Sequence, residues 1–190
     1  RQWRAQAADL EGRPVAAEAE PYNLVRPRSR CPACQAPIKA SHNVPVLSWL
    51  LLRGRCASCR APISARYPVI ELATGIAFAA VAWRFGFGAT ALLACLYTAY
   101  LIALAGIDID RQLLPDILTL PLLWIGLLAS LWPGAGDVPP PAALRDAVLG
   151  AAGGYLFLWL VFHLFRLATG KEGMGYGDFK LFAALGAWLG

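Results

Sequence analysis

Residues 89–107 read ATALLACLYTAYLIALAGI, an apolar stretch without a charged side chain. An α-helix rises about 1.5 Å per residue, so about 20 such residues cross a hydrocarbon core of about 30 Å. Similar stretches lie at about 68–87, 114–132 and 147–168, and a fifth begins near residue 179. The sequence therefore predicts an all-α polytopic membrane protein.

The composition agrees with a membrane protein. The 190 residues are 58% hydrophobic and 15% charged, whereas soluble domains carry about 25% charged residues, and the mean hydropathy is +0.52. These values exclude a disordered chain, a disulfide-rich secreted module and a nucleic-acid-binding arm. We expect a lipid bilayer around the chain and no nucleic-acid partner.

The charge is unevenly distributed along the chain. Residues 1–66 hold eleven Lys and Arg residues against four Asp and Glu residues, within a net charge of +5. Under the positive-inside rule, 1–66 is a cytoplasmic domain and 67–190 a transmembrane domain. The loops 108–113 and 169–178 then share the cytoplasmic face.

Three further features concern the organisation of the chain. The last apolar stretch stops at Gly190, so we expect a C-terminally truncated transmembrane domain. Residues 1–30 read as an irregular polar segment, and the proline-rich segment 133–141 reads as a loop. No internal repeat stands out.

Four cysteines form two CxxC pairs, Cys31/Cys34 and Cys56/Cys59, with 21 residues between them. Each CxxC turn presents two thiolates to one ion, so the four side chains predict a closed tetrahedral zinc site with a structural role. Disulfides or redox dithiols are the alternatives, although a cytoplasmic location disfavours stable disulfides. The fifth cysteine, Cys95, reads as a small apolar residue within a span.

Two histidines read as structural residues. His42, between the two CxxC pairs, is expected to be a loop residue and no ligand. His163, in the fourth span, is expected to pack against other helices.

One acidic segment, DIDRQLLPD, covers residues 108–116. Asp110 is expected to cap the following helix, and Asp116 to lie in its first turn, where the helix dipole favours an acid. Asp108 differs because it ends an apolar run, where an ionised carboxylate needs a specific role.

The second acidic segment, GMGYGD, covers residues 173–178. Gly175 and Gly177 allow close approach of a substrate strand to the backbone. Asp178 opens an apolar helix, and an N-cap is the alternative role for it.

Together the two segments predict a pair of carboxylates on one membrane face. An aspartic protease uses one ionised Asp as a general base on water, and one protonated Asp to polarise the scissile carbonyl and protonate the leaving amine.

The roles of three other charged residues are left open. Glu71 could be interfacial, pair with a base or line a site. Arg84 could extend its charged end to the membrane surface, and Lys180 could pair with an acid or a lipid phosphate.

From Cys31 onward the chain resembles the prepilin peptidases, or type IV leader peptidases. The resemblance rests on three strings: CPAC…HNVPVLSWLLLRGRCASCRAPISARYPVIELATG, IDIDRQLLPDILTLPLLWIGLL and TGKEGMGYGDFKLFAALGAWLG. It implies that Asp108 and Asp178 are the catalytic pair. It also implies cleavage of a basic leader after Gly from prepilins and pseudopilins at the cytoplasmic face of the bacterial inner membrane.

The tetra-cysteine segment is typical of members that also methylate the new N-terminal amine with S-adenosylmethionine. Glu71 and residues 31–66 are then candidates for the methyl-donor site. Two other hypotheses remain, a non-catalytic zinc-anchored membrane scaffold and a membrane thiol oxidoreductase. The first makes both aspartates dispensable, and the second predicts reversible disulfides without zinc.

Overall fold

The computed structural model describes residues 29–131, 142–171 and 174–190. Residues 1–28 of the predicted polar segment, the loop 133–141 and Gly173 lie outside these residues. The chain divides into two compact units, one ending at Glu71 and one running from Leu72 to Gly190. They are called here the cysteine unit and the helical unit.

The cysteine unit is built on a repeat that the sequence analysis missed. Residues 30–38 read RCPACQAPI and residues 55–63 read RCASCRAPI, a match at six of nine positions. In each copy the first Cys N–H donates to the Ala carbonyl five residues on, and an isolated antiparallel bridge closes the turn, Arg30 with Pro37 and Arg55 with Pro62. The expectation of no internal repeat is therefore wrong, and we call each copy a knuckle.

Matching left-handed residues complete the two knuckles. Gln35 has φ 58° and Arg60 has φ 61°. In each knuckle this residue donates its N–H to the carbonyl of the first Cys, at 2.9 and 3.0 Å respectively. The same backbone fold therefore presents both CxxC pairs.

A short helix, α1 (Leu47–Leu51), lies between the knuckles. Its Trp49 indole N–H donates to the Ile63 carbonyl at 3.1 Å, at the end of the second knuckle. The indole lies against Gly54, where a Cβ would come within 2.9 Å of Trp49 Cζ2. Gly54 also has φ 67°, so glycine is required here both for space and for conformation.

In the described part of the chain, five longer helices follow: α2 (Arg66–Phe85), α3 (Ala89–Arg111), α4 (Asp116–Ala129), α5 (Leu144–Thr169) and α6 (Tyr176–Leu189). Among the described residues no β-strand forms. The helices α2, α3 and α5 are long and apolar enough to cross a membrane. The predicted all-α membrane fold with a tetra-cysteine module is thus confirmed.

The third predicted span, 114–132, is shorter than expected. Helix α4 has 14 residues, about 21 Å at about 1.5 Å per residue. It begins after Pro115, which has extended backbone angles, and ends at Ser130, whose hydroxyl donates to the Leu127 carbonyl. Trp132 lies outside the described residues.

Helices α4, α5 and α6 form the packed part of the helical unit. Gly150 of α5 contacts the backbone of Gly186 of α6, and Gly154 contacts the Phe182 carbonyl, so small residues allow close helix approach. Trp188 of α6 lies on Gly126 of α4 and donates its indole N–H to the Leu122 carbonyl at 2.9 Å. The contacts with α5 make α6 antiparallel to it, and the Trp188 contacts together with the Lys180–Asp116 bond make α6 parallel to α4.

Much of the apolar side-chain surface of α5 faces outward. Leu149, Leu156, Phe157, Leu164 and Leu167 are all exposed. Apolar patches of this extent are rare on soluble monomers, and lipid chains would cover them. The exposure agrees with a membrane-embedded helix.

Candidate functional site

Asp178 lies in the first turn of α6. Its Oδ2 accepts the Gly175 N–H at 3.1 Å, and its own N–H donates to the Gly175 carbonyl at 3.2 Å. Gly175 is the N-cap residue of α6, so the alternative prediction that Asp178 is the N-cap is wrong. Asp178 is the third residue of the helix, and its carboxylate accepts a hydrogen bond from the N-cap residue. Asp178 is partly exposed.

Asp108 lies in the last turn of α3, because this helix continues to Arg111 and not only to the predicted Ile107. The helix ends at Gln112, which has φ 49° and donates its N–H to the Asp108 carbonyl at 2.7 Å. The Asp108 side chain is exposed. Asp110 also lies within α3, so the expectation that it caps the next helix is wrong.

A direct contact brings the two acidic segments together. A Cβ on Gly177 would come within 2.8 Å of Leu114 Cβ and 2.9 Å of the Leu114 carbonyl oxygen. Leu114 belongs to the link between Asp108 and α4, and Gly177 directly precedes Asp178. The close approach therefore requires glycine at 177 and sets the start of α6 against this link.

An ion pair reinforces the same end of the helical unit. The Lys180 ammonium lies 2.6 and 2.7 Å from the two carboxylate oxygens of Asp116. Asp116 is the first residue of α4, in the predicted first-turn position. Lys180 therefore pairs with an acid, one of the two roles left open for it.

An aromatic cluster supports the start of α6, and the sequence analysis did not identify it. Phe179 is fully buried, and its ring lies 5.6 Å from Phe162 and 5.7 Å from Tyr176. Tyr155 meets Phe179 edge to face at 6.0 Å. The spacing of Tyr155 and Phe162, two helical turns apart on α5, is the signal that could have indicated a shared face.

The contacts given for His163, which was predicted to pack against other helices, lie within α5. Its Nδ1 lies 2.8 Å from the Trp159 carbonyl, and its ring lies 4.0 Å from the Trp159 ring and 5.3 Å from Phe162. Arg84, near the end of α2, lies over the Phe85 ring at 5.3 Å.

The four knuckle cysteines form a compact cluster in the cysteine unit. Their Sγ atoms all lie within 4.8 Å of one another, and Cys31 Sγ is 3.8 Å from Cys59 Sγ. A tetrahedral zinc ion with Zn–S bonds of about 2.3 Å places its sulfur ligands about 3.8 Å apart. All four thiols are free, so the donor set and its spacing fit a zinc ion.

The second knuckle also favours a thiolate. Backbone N–H groups of Cys59 and Ser58 lower the pKa of Cys56 to about 6. The pKa of Cys59 is raised to about 11. The Ala61 N–H lowers this pKa, but contact with the Cys34 thiol, burial, and contact with the Cys56 and Cys31 thiols together raise it by more. A second thiolate in the cluster is thus disfavoured without a cation beside it.

Comparison with known proteins shows the family of the chain. Residues 13–85 match the Bacterial Peptidase A24 N-terminal domain, and residues 95–190 match the Type IV leader peptidase family. The second match covers the acidic segments and the packed helices. The chain therefore belongs to the type IV leader peptidase family.

Curated relatives carry the name prepilin leader peptidase/N-methyltransferase. The Aeromonas hydrophila protein is 54% identical over 195 residues, covering 100% of this chain and 64% of the relative. The Neisseria gonorrhoeae protein is 51% identical, covering 91% and 58%, and the Pseudomonas aeruginosa protein is 50% identical, covering 100% and 63%. The chain thus spans about three fifths of the length of these relatives. No solved structure matches it.

Proposed function

We propose that this chain belongs to a bifunctional enzyme of the bacterial inner membrane. It cleaves the basic leader of type IV prepilins and pseudopilins after Gly at the cytoplasmic face, and it N-methylates the new N-terminal residue. The observation that carries the peptidase proposal is the contact of Gly177 with Leu114, which joins the segments bearing Asp108 and Asp178. The names of the relatives support both activities.

We propose different roles for the two aspartates, which lie at opposite kinds of helix end. Asp178 lies at the N-terminal end of α6 and accepts a backbone N–H, a position that favours a negative carboxylate. It is the base that takes a proton from the attacking water. Asp108 lies in the last turn of α3, and in this proposal it is the group that polarises the scissile carbonyl.

Peptide hydrolysis then proceeds as acid–base chemistry between these two groups. Water oxygen bonds to the scissile carbon as Asp178 takes its proton and Asp108 donates a hydrogen bond to the carbonyl oxygen. The C–N bond breaks when a carboxyl group returns a proton to the leaving amine. Gly175 is exposed, and a Cβ there would have only Asp178 Oδ2 within 4 Å, so it lets the substrate backbone approach.

The tetra-cysteine cluster has a structural role in this proposal. Four thiolates fill all positions of a tetrahedral zinc ion and leave none for substrate. Zinc held by Cys31, Cys34, Cys56 and Cys59 therefore fixes the two knuckles.

For the methylation, S-adenosylmethionine supplies the methyl group. The amine nitrogen gains the N–CH₃ bond, the S–CH₃ bond breaks with its electrons moving to sulfur, and the amine loses a proton.

The test compares the full-length protein with Asp108→Asn and Asp178→Asn in membranes containing a prepilin substrate. We expect both variants to lose leader cleavage while zinc content is unchanged. Asp110→Asn is the matched control, because it changes the same turn of α3 and is expected to cleave normally. Cleavage by either dyad variant at the wild-type rate would overturn the dyad assignment and direct the search to Asp110 or Asp116. A wild-type protein that binds zinc but cleaves no prepilin would favour the zinc-anchored scaffold.

A further inference from the structure

Helix α1 exposes its apolar side chains and buries a polar one. Leu47, Leu50 and Leu51 are 59%, 58% and 83% exposed, and their spacing of three and four residues puts them on one side of the helix. Ser48 is buried instead. Single exposed leucines are common on soluble proteins, whereas a contiguous apolar patch marks an interaction site. We call these three leucines the leucine face.

Polar contacts fix the orientation of α1 within the cysteine unit. The Ser48 hydroxyl donates to the Ser41 carbonyl at 3.3 Å. The Trp49 indole N–H donates to the Ile63 carbonyl, and the indole ring lies on Gly54. The leucine face could turn into the cysteine unit only if these contacts broke. The partner of the leucine face therefore lies outside this unit.

Helix α1 is bonded to the start of a candidate membrane span. Val46, the residue before α1, donates its N–H to Glu71 Oε2 at 2.8 Å. Glu71 is the sixth residue of α2, about 8 Å along the helix at about 1.5 Å per residue. Because α2 is long and apolar enough to cross a membrane, this bond holds α1 close to the level at which α2 enters the bilayer.

The charge around the leucine face is positive. Residues 29–70 contain six Lys and Arg residues and no Asp or Glu, and a zinc ion with four thiolates would offset only two of these charges. Arg53 and Arg55 directly follow α1 and are exposed. Among the described residues, neither has a carboxylate partner. Basic side chains next to a membrane span are attracted to anionic lipids.

We infer that α1 is an interfacial helix whose leucine face inserts among the acyl chains of an anionic bilayer, with Arg53 and Arg55 at the lipid phosphates. Leucines on one side and adjacent bases are the combination that holds a helix in the plane of a membrane surface. The cysteine unit is then attached to the membrane by α1 as well as by α2. The inference rests on α2 crossing the membrane and not on either proposed enzymatic activity.

Photo-crosslinking identifies what covers the leucine face. A benzophenone amino acid replaces Leu51 in the full-length protein, which is placed in nanodiscs of phosphatidylcholine with about a quarter of phosphatidylglycerol. We expect mass spectrometry to find mainly lipid adducts. The same amino acid in place of Ala33, which is exposed on the first knuckle, is the control, and its lipid yield should be at least about fivefold lower.

A second set of variants tests the role of the arginines. Combining Arg53→Gln with Arg55→Gln should lower the lipid yield at position 51 about threefold in the anionic nanodiscs, and should have no effect in pure phosphatidylcholine. Arg84→Gln, near the other end of α2, is the matched control and should have no effect in either lipid. Zinc content reports whether each variant is folded. If the benzophenone at position 51 prevents folding, the same substitution at Leu47 replaces it.

The adducts distinguish a lipid surface from other partners. Adducts mainly with the helical unit, with a second copy of the chain or with added prepilin would overturn the inference, as would a folded protein without adducts. Equal lipid yields in the two kinds of nanodisc would overturn the contact of the arginines with phosphate. Asp178→Asn, which is expected to lose cleavage, should keep the wild-type lipid yield, so failure of the peptidase proposal is distinguishable from failure of this one.

Discussion

The Lys180 ammonium binds both carboxylate oxygens of Asp116, at 2.6 and 2.7 Å, and so joins the start of α6 to the first residue of α4. Lys180 lies two residues after Asp178, and side chains two apart on a helix point in different directions. The pair therefore stabilises the helix carrying Asp178 while the Asp178 carboxylate binds the Gly175 N–H. Lys180 therefore helps to position Asp178 by holding in place the helix that carries both residues.

Replacement of Asp116 by Asn is expected to have a modest effect. The two side chains are 31% and 57% exposed, so their pairing contributes at most about 1 kcal/mol. We expect Asp116→Asn to lower the Tm slightly and to reduce kcat/KM for leader cleavage by less than about tenfold. The double variant with Lys180→Met should be no worse than either single variant. An Asp116→Asn protein as inactive as Asp178→Asn would instead make Asp116 part of the dyad.

The two glycines of the second acidic segment are expected to respond differently to alanine. A Cβ at Gly177 meets both Leu114 Cβ and the Leu114 carbonyl oxygen, whereas a Cβ at Gly175 has only Asp178 Oδ2 within 4 Å, at 3.7 Å. Gly177→Ala should therefore lower the Tm and the kcat of cleavage, and Gly175→Ala should leave the Tm unchanged.

A second substitution tests the origin of this effect. Leu114→Ala retains both atoms that Gly177→Ala would meet, so it should not restore activity to Gly177→Ala. Restoration would show that the outer part of the Leu114 side chain causes the conflict. A Gly175→Ala variant with normal Tm but raised KM would support a substrate-approach role for Gly175.

Composition and motif spacing predicted the helices and the cysteine cluster because both depend on residue type. An uninterrupted apolar run such as 89–107 has few stable alternatives to a span. The CxxC spacing brings each pair of thiols together locally, since the turn between them is short. These features need no knowledge of distant contacts.

Other features depend on contacts that sequence reasoning could not supply. Lys180 and Asp116 are 64 residues apart, and nothing local indicates which acid Lys180 pairs with. The apolar run that ends at Ile107 predicts a cap at Asp110, but α3 continues through three charged residues and Ile109 to a left-handed Gln112. The knuckle repeat, by contrast, is visible in the sequence as six identical positions of nine, and the structure adds the shared left-handed conformation of Gln35 and Arg60.

Helix packing provides a further prediction with a control in the same helix. A Cβ at Gly150 would meet the backbone of Gly186, whereas a Cβ at Gly153 has nothing within 4 Å. Gly150→Ala is therefore expected to lower the Tm in detergent by separating α5 from α6. Gly153→Ala should be neutral or stabilising, because alanine favours a helix by about 1 kcal/mol over glycine. Equal Tm values for the two variants would contradict the close packing of α5 on α6.

The cysteine cluster predicts one zinc ion per chain, which elemental analysis of the purified full-length protein can measure. Cys34→Ser and Cys59→Ser each remove one of four ligands, so both variants should retain much less zinc and expose residues 29–64 to proteolysis. Cys95→Ser is the matched control, since Cys95 lies in α3 outside the cluster, and its zinc content should equal wild type. Chelation of the wild-type protein should reproduce the proteolysis of the ligand variants, because the ion links the two knuckles. A wild-type protein that contains no zinc and cycles between thiols and disulfides would instead favour the thiol oxidoreductase.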